Sequence, residues 1–253
     1  MGSMRHTKAG RIFNQAGLIA VMAVLAAGCG KIQEKNFDGL ACGSSDQFRS
    51  YMNPMDSTVI QTVSIDSAFS ASEIRMIENA IASWNHEARL SIGHDIFRAQ
   101  VLGVSAASIP KANQDCGFPG ASGAFSIVKV SNSATWTALG FDQSNPGVTI
   151  RCARGVDYAE KQVVLINPSN MAGSLAGIFE NVVLHELGHA IGMDHSCDPT
   201  NSGKQGFAGC NMPGTDPSYK EAVMFPFVNQ NDIREDLRRN DQERSTCALN
   251  YRP

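Results

Sequence analysis

Neither a block of basic residues nor an apolar run long enough to cross a bilayer occurs in this chain of 253 residues. The apolar stretch Leu18 to Ala27 has ten residues, about half of what a spanning helix needs. Residues 1 to 28 carry Arg5, Lys8 and Arg11 and no acidic residue. Without them 18 basic groups face 24 acidic ones, a net charge of −6. That balance, with no basic patch, excludes nucleic acid as the partner. Internal repeats and low-complexity tracts are absent too. What is left, residues 29 to 253, has the apolar fraction of a globular protein and is long enough to bury a proper core.

The basic start followed by a short apolar run has the pattern of an export signal. It ends Leu25-Ala26-Ala27-Gly28-Cys29, similar to a bacterial lipobox, which implies cleavage before Cys29 and a lipid on its sulfur. Gly30 after the cysteine implies the outer membrane of the cell envelope. An ordinary secretory signal, with a freely secreted product, is the alternative. If Cys29 is acylated, Cys42, Cys116, Cys152, Cys197, Cys210 and Cys247 remain, an even number in an exported chain, which predicts three disulfides. Six cysteines allow 15 pairings. The pairing favoured here is Cys197 with Cys210, Cys116 with Cys152 and Cys42 with Cys247.

The most informative stretch is His185-Glu186-Leu187-Gly188-His189-Ala190-Ile191-Gly192-Met193-Asp194-His195. His185 and His189 are four apart, so on a helix their imidazoles leave one face a turn apart. Gly192 permits a left-handed turn that swings the chain back and brings His195 to the other two. Three neutral imidazoles plus an open position are the ligand set of a catalytic zinc, and Glu186 is placed to act as base. Five specified residues at these spacings arise by accident in roughly one chain in 10⁵. A purely structural zinc site would close with four protein ligands and has no use for Glu186.

Elsewhere, Thr58 to Ile65 reads as a first strand. Ser70-Ala71-Ser72-Glu73 forms a capping box, with Phe69 and Ile74 as a hydrophobic staple. The helix it opens carries Ile74, Ile77, Ile81 and Trp84 along one stripe that should pack on a sheet. Ile96 to Val104, Ala124 to Val130, Val148 to Arg151 and Gln162 to Ile166 read as strands. A second helix is expected from Ser174 to Ile191, with Leu175, Ile178, Phe179, Val182 and Val183 inward, and a last one between Asp232 and Leu249.

On the extended histidine motif and on Ala222-Val223-Met224-Phe225-Pro226, which looks like a Met-turn, the chain resembles the metzincin zinc endopeptidases. Ser196 after the third histidine makes it similar to the matrixins among them. The resemblance implies an α+β zincin fold: a twisted, mostly parallel sheet with two long helices, then a small irregular C-terminal subdomain with a terminal helix. It implies zinc on His185, His189 and His195, Glu186 as general base, Met224 beneath the metal and Pro226 in the wall of the specificity pocket. Matrixins continue that wall with a tyrosine where this chain has Val228. Their histidine-bearing loop for a structural zinc is not recognisable, and His86 and His94 are read as surface residues. Calcium, which needs no motif, stays open. Cys42-Gly43-Ser44-Ser45-Asp46 partly matches the matrixin latency segment, and a disulfide at Cys42 is the competing reading.

The expected organisation is a signal peptide over 1–28, a lipid-anchored tether over 29–57 and a catalytic domain over 58–253. The expected function is zinc-dependent cleavage of internal peptide bonds in protein or peptide substrates, by a monomer held at the membrane through its lipid. The rival is an adhesion or binding lipoprotein that keeps a metzincin shell without turnover.

Overall fold

The computed structural model describes residues 54–103, 124–153, 158–171, 175–200, 209–227 and 233–250. The chain divides into two units, Met1–Asn36 and Phe37–Pro253, and every described residue belongs to the second. The signal, Cys29, Cys42, Cys116 and Val228 lie outside the described residues.

Five strands form one sheet: β1 (Gln61–Asp66), β2 (Phe97–Leu102), β3 (Ala124–Lys129), β4 (Gly147–Ala153) and β5 (Ala159–Ile166). Their order is β2-β1-β3-β5-β4, with every pairing parallel except β4 against β5. The five strands expected from alternation and β-branched content are the five observed, with ends shifted by a few residues. β5, a central strand covered on both faces, reads as a continuous apolar run. Val164 and Ile166 enter the larger core under the long helices, while Val163 and Leu165 enter a smaller core on the opposite face.

Helix α1 (Ala71–Ile92) begins at the expected capping box. The Ser70 amide donates to Glu73 Oε2 at 2.6 Å and the Glu73 amide to Ser70 Oγ at 3.3 Å. Such a cap stabilises a helix by about 1 kcal/mol. Its stripe is buried as predicted, with Ile77, Ile81 and Trp84 in the larger core. A short helix α2 (Ser133–Ala138), which periodicity does not announce, seats Trp136 over the second face of the sheet beside Phe141.

Helix α3 (Leu175–Ile191) carries the motif. Ile178, Phe179, Val182 and Val183 are buried, and so are Leu184, Leu187, Ala190 and Ile191. A helix apolar all round belongs in an interior, not on a surface. Trp84 fastens α1 to it by donating from Nε1 to the Leu184 carbonyl at 3.0 Å. Two C-terminal helices follow, α4 (Pro217–Glu221) and α5 (Arg239–Leu249). The α+β architecture expected of a zincin is present.

The folded body begins before Thr58. Met55 and Ser57, at the end of the expected tether, are almost fully buried. The Met55 amide donates to the Ile191 carbonyl at 3.2 Å, the Ala159 amide to Pro54 at 3.1 Å, and Ser57 Oγ to Leu249 at 2.6 Å. Polar residues in this segment suggested solvent, but Pro54 and Met55, at its described end, are anchored by backbone contacts that composition does not reveal.

Candidate metal centre

His185 and His189 lie one turn apart on α3, with ring centroids 4.7 Å apart. The chain then reverses at Gly192, whose φ of +118° is in the left-handed region. Two constraints meet there, since a Cβ at Gly192 would also stand 2.6 Å from Pro54 Cβ and 2.7 Å from Pro54 Cα. The reversal brings the His195 ring to 5.2 Å from His185 and 4.9 Å from His189. One nitrogen from each of the three lies within 4.8 Å of the others. Among the described residues no second group of three such ligands converges, and His86 and His94 stand outside this one.

The tautomers favour a cation. His185 Nδ1 is 2.8 Å from the Val223 carbonyl and His189 Nδ1 is 2.8 Å from that of Met193. A carbonyl only accepts, so each Nδ1 bears the proton and each Nε2 turns a lone pair inward. Those two Nε2 atoms approach to 3.1 Å. Burial keeps all three rings neutral. It pushes His185 down to about 3, helped by neighbouring His195 and opposed by the Val223 carbonyl. Burial and the adjacent imidazoles push His189 well down, and burial lowers His195 against the pull of Asp194. Three neutral imidazoles, one buried and two partly exposed, fit a divalent transition metal, and zinc best among common ions.

Glu186 lies beside this cluster and is 6% exposed. Burial raises its pKa to about 7, against a hydrogen bond from Thr149. Thr149 Oγ1, on β4, is 2.6 Å from Glu186 Oε2 and 2.9 Å from the Glu186 carbonyl. A carboxylate tuned near neutrality in a cleft can both take and return a proton.

Beneath the histidines, Met224 is fully buried. A Cβ on Gly188 would overlap its sulfur and press on Trp84, so glycine is what lets the turn approach α3. The turn is hung from α5, where the Asp241 carboxylate accepts from the Val223 amide at 2.8 Å and the Met224 amide at 3.0 Å. Arg244, a turn further on, donates to the carbonyls of Asp194 and His195 at 3.0 and 3.1 Å. Ser196 ties the two segments together. Its amide donates to Met224 at 2.7 Å and its Oγ to Tyr219 at 2.5 Å.

Cys197 and Cys210 are bonded to each other. Cys197 therefore offers no thiolate to the cation. Cys152 and Cys247 are also disulfide-bonded, with partners outside the described residues.

A cleft of about 380 Å³ opens over the cluster. The three histidines, Glu186, several residues of β4 and Pro226 line it. Sequence reasoning singled out the histidines, Glu186 and Pro226. It missed Thr149, Asp241 and Arg244, which carry no motif. The one available signal was Asp241 and Arg244 at helical spacing beside apolar positions of a terminal helix.

No family model and no curated protein matches the chain. Among solved structures it is similar to high choriolytic enzyme 1, a hatching enzyme zinc-protease from the medaka fish Oryzias latipes. The two are 16% identical over 83% of this chain and 98% of that one, with a TM-score of 0.37. The likeness is too loose to carry function across.

Proposed function

We propose that the chain is a zinc-dependent endopeptidase of the metzincin kind, matrixin-like in its motif. The observation that carries this reading is a three-histidine cluster with inward lone pairs beside a buried carboxylate raised to about 7, all lining one open cleft. His185, His189 and His195 would hold the ion. When bound there, zinc supplies Lewis acidity to a water and to the carbonyl of the bond to be cut.

The chain's own residues do the rest. Glu186 takes a proton from the attacking water as its oxygen adds to the carbonyl carbon. It then returns that proton to the amide nitrogen, so the C–N bond breaks with an amine as leaving group. Thr149 holds the carboxylate in place. Among the described residues β4 is an edge strand paired with β5 alone, so an extended peptide can pair with its other side and lie along the cleft. Pro226 lines the same cleft and would contact a side chain next to the cut bond.

Purified chain spanning 30 to 253 should contain zinc and cleave casein or gelatin, with cleavage stopped by a hydroxamate. Glu186→Ala should keep the zinc and lose the cleavage. Equal activity in both would remove Glu186 from the mechanism, and zinc-loaded wild type that cleaves nothing would favour a binding protein. Export and lipid anchoring at Cys29, inferred from the lipobox-like segment, predict that Cys29→Ala releases the protein from membranes. Retention of that variant would refute the anchor.

A further inference from the structure

The cleft holds a guanidinium whose donors are not fully used. Arg151 lies two residues beyond Thr149 on β4, so the two side chains leave the same face of the strand. Thr149 reaches Glu186, and Arg151 lines the same cleft beside His189 and Asp194. Its Nη1 is buried and has no hydrogen-bond partner. Burial lowers its pKa and Asp194 raises it, yet a guanidinium remains charged at any working pH. Asp194 offsets part of the Arg151 charge but does not hydrogen-bond its Nη1, and Asp194 Oδ1 accepts from the His195 amide at 2.7 Å. A buried charged donor left unpaired is costly, and an incoming carboxylate would relieve that cost.

We propose that Arg151 selects peptides with an acidic side chain on the acyl side of the cut bond, an inference that rests on the cleft being a peptidase site. The direction follows from β4. Gly147 touches Glu186 closely enough that a Cβ there would stand 2.8 Å from Glu186 Cγ, and the strand runs from this point towards Arg151. An added antiparallel strand, the more stable pairing, runs the other way, so its residue over Arg151 precedes the bond above Glu186. Arg151 lies roughly 7 Å beyond Thr149 and roughly 14 Å beyond Gly147, the two β4 residues that touch Glu186, which places the acid about two to four residues ahead of the cut. The planar fork of arginine matches both carboxylate oxygens. A neutral or basic side chain there would leave the donor unpaired, and such an unpaired group is a strong source of discrimination.

Two measurements on the full chain test this. In the first, zinc-loaded protein digests a randomised peptide library and the cut sites are read by mass spectrometry. Asp and Glu should be enriched at one position before the cut, and Arg151→Gln should erase the enrichment. Cleavage with no acidic preference, or with a preference unchanged in Arg151→Gln, overturns the role of Arg151 and leaves the peptidase reading standing. In the second, Glu186→Ala protein is titrated with alanine peptides carrying one glutamate, or one glutamine, at successive positions. The best glutamate peptide should bind about tenfold more tightly than its glutamine twin. Equal binding of the twins sinks the proposal whether or not the wild type cleaves anything, whereas absent zinc and absent cleavage sink the peptidase reading. If Arg151→Gln does not fold, Arg151→Lys decides: the glutamate preference should fall several-fold, and an unchanged preference refutes the bidentate fork.

Discussion

Glu186 owes its orientation to a hydroxyl on another element. Thr149 Oγ1 reaches both its carboxylate and its carbonyl, fixing the side chain and the strand–helix gap together. Thr149→Val keeps the shape and removes the donor. Its expected effect is a fall in kcat of about tenfold with zinc content unchanged, against a loss of about 10² to 10⁴ for Glu186→Gln. Steady-state kinetics with metal analysis on the same samples would check both, and a Thr149→Val enzyme as fast as wild type would refute the positioning role. At this scale the sequence is uneven. Two histidines four apart and a glycine before the third report their geometry locally, because helix periodicity and turn chemistry act over a few residues. Thr149 is 37 positions from Glu186 and Arg244 is 50 from Asp194. No local rule connects residues that far apart, and they become partners only when the sheet, α3 and α5 have docked.

The C-terminal half of the motif helix is positioned by other elements at two points. Gly192 carries a positive φ and leaves no room for a Cβ against Pro54. Gly192→Ala should therefore cost more than the roughly 1 kcal/mol typical of a glycine replaced at a left-handed site. Urea denaturation would measure it, and a neutral result would mean that Pro54 can move aside. α5 supplies the other support through Asp241, whose burial raises its pKa although three backbone amides donate to it. Asp241→Ala would leave the Val223, Met224 and Arg238 amides without their acceptor. We expect a loss of about 3 kcal/mol and zinc affinity weakened by at least tenfold, since the Val223 carbonyl orients His185. Competition with a chelator of known affinity would read the second effect. The capping box, the stripe of α1 and the five strands were legible because patterning and caps are local. α2 was not, since six residues are too few to display a period, and only its Asn132 cap and Trp136 hinted at it.

Across the whole molecule, cores on both faces of the sheet make the body cooperative, and one ion pair ties its acid stability to α1. Lys129 Nζ, at the end of β3, is 2.6 Å from Glu73 Oε2, and both side chains are mostly buried. Burial raises the Glu73 pKa, but hydrogen bonds from Lys129 and Ser70 outweigh it and leave the carboxyl below its ordinary value. A depressed carboxyl stabilises the fold above its unfolded pKa and loses that contribution as pH falls through the folded one. Wild type should thus exceed Lys129→Met by about 1 kcal/mol at neutral pH, with the gap closing below the ordinary carboxylate range. Denaturation curves across that window would show it, and a gap that persists in acid would assign the difference to packing instead.

Pro54 and Met55 also couple two distant parts of this body mechanically. A force applied at these two residues would load the first residue of β5 through Ala159 and the end of α3 through Ile191. Ile191 adjoins the bend at Gly192 that delivers the last imidazole, so the cleft would sense that force directly.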